Sequence, residues 1–204
     1  MKKIVLTLAV ALMSTFAFAT GGEGEGESTT LKVVTNESTL NWVGEKVTGS
    51  HMGTLNIREG IVVLDQGMID KAMISIDMSS ITVTDEGMDD ETKANLKGHL
   101  ASADFFNVAE HETADFKLTS FAPYKGEGGN YMVKGQLTIK GITQPIEFPV
   151  NATMKDDMVT VTADLTFDRS KFDIRYGSDS FFDNLGDKVI YDDVKVSFTL
   201  VARK

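Results

Sequence analysis

Strict alternation of apolar and polar residues near the C-terminal end is the feature that most constrains the fold. From residue 159 to 167 every second residue is apolar, and the residues between them are threonine or aspartate. The alternation recurs from Val194 to Leu200. Successive side chains of a β-strand point to opposite faces, so such a segment has one face in an apolar interior and the other in water. Both segments are therefore predicted to be strands with one buried face.

Other stretches of the chain show a shorter or less regular alternation. They are Leu40 with Trp42, Ala72 to Met78, Phe116 with Leu118, Tyr131 to Ile139, and Ile146 to Val150. The apolar run Ile61 to Leu64 is predicted to be covered on both faces. Turn-forming residues at 126–130, 155–157 and 66–67 predict hairpins between these strands. About eight strands joined by short loops predict an all-β sandwich or barrel.

Two segments depart from the strand pattern. Residues 86–100 predict a helix, because acidic residues precede it at its positive end. Ser102 is predicted to cap a further turn that contains Phe105 and Phe106. Residues 178–188 predict a second short helix with an apolar face. Such a face needs cover, and both segments are predicted to lie over the mouth of a barrel as candidate lids.

The first 19 residues predict an export signal. Lys2 and Lys3 precede the apolar run Ile4 to Met13, and small residues at 17 and 19 form a cleavage site. Cleavage after Ala19 predicts a periplasmic or secreted protein. Because no cysteine follows that site, a lipid-modified N-terminus is not expected.

The mature chain is predicted to hold one domain behind a tether. Residues 20–30, rich in glycine and glutamate, predict a flexible linker, and residues 31–204 show no second linker and no repeat. The chain has no cysteine, so its core must stabilise it without disulfides. The formal net charge is −10, and loss of the two signal-peptide lysines makes it −12. This acidity argues against nucleic acid and anionic membranes as partners, and stable membrane insertion is not expected.

Several motifs in order resemble those of the YceI-like proteins, also described as polyisoprenoid-binding or lipid-binding YceI-like domains. The most specific is GHLASADFFN at 98–107, followed by ADFKLTS at 114–120. The others are LNWV at 40–43, GTL at 53–55, IDMSSIT at 76–82, GQLTIKGITQPI at 135–146 and FDRSKF at 167–172. The resemblance extends from about Leu40 to Val201.

The resemblance implies a single lipocalin-like antiparallel β-barrel with one or two short helices at its mouth. It also implies a secreted or periplasmic protein that holds an isoprenoid-type chain in an internal pore. Many members of the family carry an Arg-Asp pair before the His-Leu motif, where this chain has Leu96 and Lys97. The partner expected from the family is an isoprenoid, quinone-like or fatty-acid-like amphiphile, with no cofactor.

A barrel of about eight strands is just wide enough to be filled by side chains or to hold one small ligand, so periodicity alone leaves both interiors open. With a pocket, the protein would bind, sequester or transport a lipid-like ligand. With a packed interior, it would be a ligand-free structural or interaction protein of the cell envelope. The residues predicted to contact a ligand are mostly aromatic: Trp42, Phe105, Phe106, Phe116, Phe148, Phe167, Phe181, Phe182 and His99.

Two kinds of polar residue have alternative roles. His99 is either a polar contact to a ligand head group or a lid latch, or a structural residue that caps the predicted helix or fixes the loop by a hydrogen bond. The structural role is favoured. A charged head group would need cations near the mouth, and five side chains are candidates whose positions the sequence does not reveal. They are Lys46, Arg58, Lys140, Arg169 and Arg175. The favoured alternative is that each is an ordinary solvated charge or part of a structural ion pair.

The sequence offers little support for catalysis or for a metal site. It contains no cysteine, no Gly-x-Ser-x-Gly motif, no glycine-rich phosphate loop and no His-Glu-x-x-His motif. Its paired aspartates lack the spacing of an EF-hand loop. We therefore expect a binding protein rather than an enzyme, without a bound metal.

Overall fold

A computed structural model describes residues 28–155 and 157–204, which form nine strands and one α-helix. The predicted signal peptide and the Gly/Glu-rich segment up to Glu27 lie outside the described residues. The elements are β1 (Ser28–Val33), β2 (Thr39–Lys46), β3 (Gly49–Asp65), β4 (Met68–Asp77), α1 (Asp90–Ala101), β5 (Thr113–Pro123), β6 (Tyr131–Ile139), β7 (Ile142–Lys155), β8 (Met158–Asp168) and β9 (Ile190–Arg203).

Eight of the strands close into an antiparallel barrel, which confirms the predicted fold class. Their order is β3-β2-β9-β8-β7-β6-β5-β4, and pairing of β4 with β3 completes the ring. The alternating segments identified in the sequence become β8 and the middle of β9, and all of β8 pairs with β9. Their apolar faces point into the barrel, as the period of two requires.

The ninth strand, β1, lies beside the barrel wall where β2 does not reach. β3 has 17 residues; its first part pairs with β2, and Ile61–Asp65 pairs with β1. β1 also pairs with the end of β9 through Lys32 and Val33. The predicted linker over residues 20–30 is therefore wrong for residues 28–30, which pair with the second part of β3 and cover its otherwise open edge.

The two ends of the barrel differ in their connections. At one end, here called the hairpin end, short loops join β3 to β4, β5 to β6 and β7 to β8, and all three predicted hairpins are confirmed. At the other end, here called the helix end, α1 connects β4 to β5. The long segment 169–189 connects β8 to β9 at the same end. The two candidate lids thus share one end.

The helix prediction is confirmed for one candidate lid and wrong for the other. α1 begins after Asp89, whose carboxylate accepts a hydrogen bond from the backbone N–H of Thr92 at 2.7 Å. Residues 178–188 contain turns and a single 3₁₀ turn at Gly186–Lys188. Asn184 and Gly186 have left-handed backbone conformations, with φ of 61° and 55°, that interrupt a right-handed helix.

The barrel is filled with side chains at the hairpin end. Its core there consists of aliphatic residues with little or no exposed surface, including Leu31, Val62, Val150, Val159 and Ala202. A second buried cluster lies at the helix end, where side chains of α1 and the following turn pack on the barrel rim. The space between these two clusters is where the interior departs from close packing.

Candidate functional site: an apolar cavity in the barrel

The barrel encloses a cavity of about 360 Å³ between the two buried clusters. This volume lies within the usual range of small-molecule pockets, ~300–1,000 Å³. Every strand from β2 to β9 contributes inward-facing side chains to its wall, together with α1 and the turn that follows it. The sequence left a packed and a hollow interior open, and the structure shows a hollow one.

The floor of the cavity is aromatic. The ring centroid of Phe148 lies 6.0 Å from that of Phe116 and 6.3 Å from that of Phe198. These rings stand on the packed core of the hairpin end, to which Phe148 belongs. The cavity is therefore closed at its floor.

Gly44 keeps part of the wall free of side chains. It lies on β2 between Trp42 and Lys46, which also line the cavity, and a Cβ atom placed on Gly44 would meet no atom within 4 Å. Its backbone is not in the left-handed region, so residues other than glycine can adopt the same conformation. The absence of a side chain here leaves open space in the cavity.

The end of α1 and the turn that follows it form the roof of the cavity. Phe105 is buried under the turn after the helix, and its ring lies 5.5 Å from that of Phe106. The ring of His99 packs edge-on against Phe105 at 5.7 Å and against Tyr176 at 4.4 Å. The carbonyl of His99 accepts hydrogen bonds from the backbone N–H and the hydroxyl of Ser102. The backbone oxygen of His99 thus accepts the hydrogen bonds of the C-cap residue Ser102, while its ring lines the cavity.

Most of the predicted contact residues meet in the cavity wall. The wall contains Trp42, His99, Phe105, Phe106, Phe116, Phe148 and Phe167. Phe181 and Phe182 lie outside it, with 40% and 49% of their surface exposed. The guanidinium of Arg175 stands 5.0 Å from the centroid of the Phe181 ring. Their spacing suggested a shared helical face, which this segment does not form.

Arg169 is a buried charge whose role the sequence did not reveal. It is 1% exposed, and its guanidinium donates to the backbone oxygens of Ile174, Tyr176, Ile190 and Tyr191 at 2.8–3.2 Å. It also forms an ion pair with Asp192 at 3.3 Å. Burial lowers the pKa of Arg169, and the charge of Asp192 opposes that shift. Arg169 holds both ends of segment 169–189 together, and its place in the FDRSKF motif was the signal available.

The opposite carboxylate oxygen of Asp192 extends this network into the segment. It accepts hydrogen bonds from the hydroxyls of Ser178 at 2.9 Å and Ser180 at 2.6 Å. Ser178 is completely buried. The connection between β8 and β9 is therefore fixed to the barrel by a polar network rather than by the apolar helical face predicted from the sequence.

The polar side chains of the wall gather at the helix end, where the cavity has its mouth. Tyr176 and Tyr191, 47% and 46% exposed, stand there with Glu45, Lys46 and His51. The pairing of β2 with β9 is irregular between Gly44 and Lys46, and these residues and Glu45 all line the cavity. His51 Nδ1 lies 3.1 Å from a carboxylate oxygen of Asp85. The cavity thus has an apolar interior and a polar mouth.

One buried polar atom of the wall has no hydrogen-bond partner among the described residues. The indole nitrogen of Trp42 is buried and donates to no acceptor there. A buried donor without a partner costs about 1–3 kcal/mol, and an acceptor oxygen on a ligand would recover part of that cost. Trp42 is also the single tryptophan of the chain, so its fluorescence reports on the cavity.

Other kinds of site find no support in the described residues. Between residues 28 and 204, apart from Asp156, there is no group of three or more His, Asp or Glu side chains placed to hold a metal ion. The helices in this part of the chain are too short or too polar to cross a membrane.

Comparison with known proteins agrees with this architecture. A family model described as the YceI-like domain matches residues 31–202. A UPF0312 protein of Pectobacterium atrosepticum is 27% identical over 154 residues, covering 72% of this chain and 70% of the relative. Protein YceI of Escherichia coli is 31% identical over 96 residues, covering 46% of this chain and 44% of the relative.

Two solved structures share the fold. The crystal structure of BcnA from Burkholderia cenocepacia aligns with a TM-score of 0.64 at 24% identity, over 83% of this chain and 98% of BcnA. A polyisoprenoid binding domain from Saccharophagus degradans, implicated in plant cell wall breakdown, aligns with a TM-score of 0.59 at 17% identity, over 85% and 97% of the two chains. The family match spans nearly all of the described residues, and so this chain belongs to the family of YceI-like domain proteins.

Proposed function

We propose that this protein binds the apolar chain of a lipid-like amphiphile inside its barrel, and sequesters or carries that amphiphile through an aqueous compartment. One observation carries the proposal: an apolar cavity is closed at its floor and has its polar side chains at one end. A solved relative of the same fold is named as a polyisoprenoid binding domain. An isoprenoid, a quinone with such a tail, or a fatty chain fits this description.

The dimensions of the cavity suit a chain rather than a compact molecule. Its wall includes β9 from Ile190 to Leu200, which spans ~33 Å along the strand and ~25 Å along the barrel axis at the usual strand tilt. A ligand of that length would lie along the axis from the mouth to the aromatic floor. Both lids would meet its exposed end.

Burial of the chain supplies enough free energy without covalent chemistry. Each ~100 Å² of apolar ligand surface removed from water contributes ~2.5 kcal/mol. Association costs at least ~4 kcal/mol, so a chain that buries a few hundred Å² reaches useful affinity. The hollow interior also argues against a packed barrel that acts only as a structural or interaction protein.

Transport requires that the protein reach the compartment in which its ligand must cross water. The predicted signal peptide over residues 1–19 would deliver it to the periplasm or beyond. Mass measurement of the protein from the periplasmic and extracellular fractions of its host tests this part. A mature N-terminus at Thr20 is expected, and full-length protein in the cytoplasmic fraction would contradict it.

Native mass spectrometry with organic extraction, on protein purified from its own host, tests the binding function. We expect one prenyl, quinone or fatty species per chain. Protein that arrives empty and takes up no added polyprenyl or fatty ligand would contradict the proposal.

A further inference from the structure

Exposed apolar side chains gather at the helix end of the barrel. Of the eight large apolar residues that are exposed among the described residues, five lie at this end. They are Val47, Tyr176, Phe181, Phe182 and Tyr191, here called the mouth patch. A cluster of exposed apolar side chains marks a site of contact with a protein or a membrane. Resting on the proposed function, we propose that the mouth patch docks the protein reversibly on a lipid membrane with zwitterionic head groups.

The mouth patch comes from neighbouring parts of the chain. Val47, in the turn between β2 and β3, donates its backbone N–H to the oxygen of Val189 at 3.2 Å. At the start of β9, the backbone N–H of Ile190 donates to the oxygen of Gly177 at 2.8 Å. These bonds hold the turn, the segment 169–189 and the start of β9 side by side. The five residues therefore belong to one surface.

The polar network around Asp192 holds the turn that carries the two phenylalanine rings. The backbone N–H groups of Phe181 and Phe182 both donate to the backbone oxygen of Ser178, at 3.3 and 3.1 Å. The hydroxyls of Ser178 and Ser180 in turn donate to the carboxylate of Asp192. These hydrogen bonds fix the turn without using the rings. The exposed faces of both rings are therefore free to contact a partner.

The mouth of the cavity opens within the mouth patch. Tyr176 and Tyr191 belong both to the patch and to the cavity wall. With the patch against a bilayer, the mouth would face the lipid chains, and an apolar ligand would pass between membrane and cavity without exposure to water. Exposure of apolar surface to water is what opposes such a transfer. A protein partner on the same surface would gain nothing from the position of the mouth, so the membrane is the favoured occupant.

The charges beside the mouth patch match ammonium head groups. Asp179, Asp183 and Asp187 are exposed in the same stretch as the two phenylalanines, and the single cation of residues 178–188 is Lys188. Carboxylates attract the ammonium groups of phosphatidylcholine and phosphatidylethanolamine, and aromatic faces bind such cations directly. Anionic lipids would be repelled by these carboxylates and by the acidic chain as a whole. The surface therefore fits a zwitterionic membrane.

The five cations identified in the sequence do not reverse this balance. Lys140 donates to the backbone oxygen of Asp173 at 3.1 Å, and Arg175 forms an ion pair with the side chain of the same aspartate. Arg58 lies on β3 outside the cavity wall, 3.6 Å from a glutamate carboxylate. These three cations are engaged within the protein. The other two candidates line the cavity itself: Lys46 and Arg169.

Co-sedimentation with lipid vesicles tests the docking on protein purified from its host. We expect binding to phosphatidylcholine vesicles, and replacing half of the lipid by phosphatidylglycerol should lower the partition coefficient at least ~threefold at low salt. The double variant Phe181→Ser with Phe182→Ser should lower it at least ~tenfold. Met68→Ser is the matched control, because Met68 is as exposed as Phe181 but lies at the hairpin end, and it should leave the partition coefficient unchanged.

Titration with a prenyl alcohol in the absence of vesicles separates docking from ligand binding. Read by Trp42 fluorescence, the affinity should be the same for the native protein and for both variants. Native protein that takes up the alcohol but does not bind phosphatidylcholine vesicles would overturn the docking and leave the proposed function standing. Undiminished vesicle binding by the double variant, or tighter binding to vesicles that contain phosphatidylglycerol, would also overturn it. So would a dimer that the double substitution dissociates, since a second copy would then cover the patch.

A fluorescent residue on each end of the barrel locates the membrane on the protein. Phe182→Trp keeps an aromatic ring in the mouth patch, and Met68→Trp places the same indole at the hairpin end. On addition of phosphatidylcholine vesicles, the emission of Phe182→Trp should shift to shorter wavelength because its indole leaves water. The emission of Met68→Trp should stay unchanged, like that of the native protein with Trp42 alone. An equal shift in both variants, or none in Phe182→Trp, would overturn the inference.

Discussion

Substitutions that place a side chain at position 44 fill part of the cavity, and they test ligand binding separately from folding. A Cβ at this position points into open space within the wall, and the backbone accepts any L-residue. Gly44→Leu should therefore insert four carbon atoms into the cavity without displacing the strand. Gly44→Ala should insert one. The two variants form a graded series that leaves every existing contact in place.

The expected effects on stability and on affinity have opposite signs. Full burial of a leucine side chain stabilises by ~1.5–3 kcal/mol, and Gly44 is partly enclosed, so we expect a gain of ~1–2 kcal/mol in the free energy of unfolding. For a domain of this size that is a Tm increase of ~2–8 °C. The added carbons displace ligand at ~0.8 kcal/mol per methylene, or ~3 kcal/mol in all, which weakens binding more than a hundredfold.

Thermal unfolding of the empty protein and titration with a prenyl alcohol measure the two effects. Gly98→Ala is the matched control, since Gly98 lies on the exposed face of α1 with no atom within 4 Å of the added carbon. It should stabilise by ~1 kcal/mol through helix propensity and leave the affinity unchanged. If Gly44→Leu binds the ligand as tightly as the native protein, the ligand does not lie in this part of the cavity. If the variant lowers the Tm, the added side chain does not fit the open space at position 44.

Three further substitutions test individual contacts. Arg169→Met leaves Asp192 buried without its charged partner, so we expect a loss of ~3–5 kcal/mol in the free energy of unfolding, measured in urea. A loss below ~1 kcal/mol would mean that other contacts hold segment 169–189. Burial raises the pKa of Asp168, but hydrogen bonds from the hydroxyl and backbone N–H of Ser170 outweigh it and hold the pKa below its ordinary value. Asp168 therefore contributes stability above pH ~4 that is lost as the pH falls through its lowered pKa, and Asp168→Asn should flatten the decline of unfolding free energy between pH 5 and 2. Phe182→Ser should change neither Tm nor ligand affinity appreciably, because this ring is exposed outside the cavity wall, and faster ligand release would identify it as part of a lid.

The elements that follow from local chemistry could be predicted from the sequence. Alternation along β8 and β9 depends only on the period of the strand, and the turn at Gln66 and Gly67 depends on two adjacent residues with left-handed backbones. The acidic cap of α1 is equally local. In each case the interactions that determine the structure lie within a few residues, so the local sequence is enough to predict it.

Features that depend on distant parts of the chain could not be predicted in this way. Whether an eight-stranded barrel is hollow depends on how side chains from all strands meet, and a single missing side chain at Gly44 contributes to the outcome. The role of Arg169 depends on backbone oxygens up to 22 residues away. For the same reason, the sequence identified five candidate cations and the structure shows which of them line the cavity.

The contrast between the filled hairpin end and the hollow helix end has a consequence for how such proteins diversify. Residues that stabilise the barrel, such as Leu31 and Val159, are fully buried and do not line the cavity. Residues such as Leu96 and Tyr191 line the cavity and contribute little to that core. Under the proposed function, changes at the second group should alter which molecule is accepted while the scaffold persists. A library confined to those positions should yield folded barrels with new selectivities, which makes this architecture a practical starting point for engineered carriers.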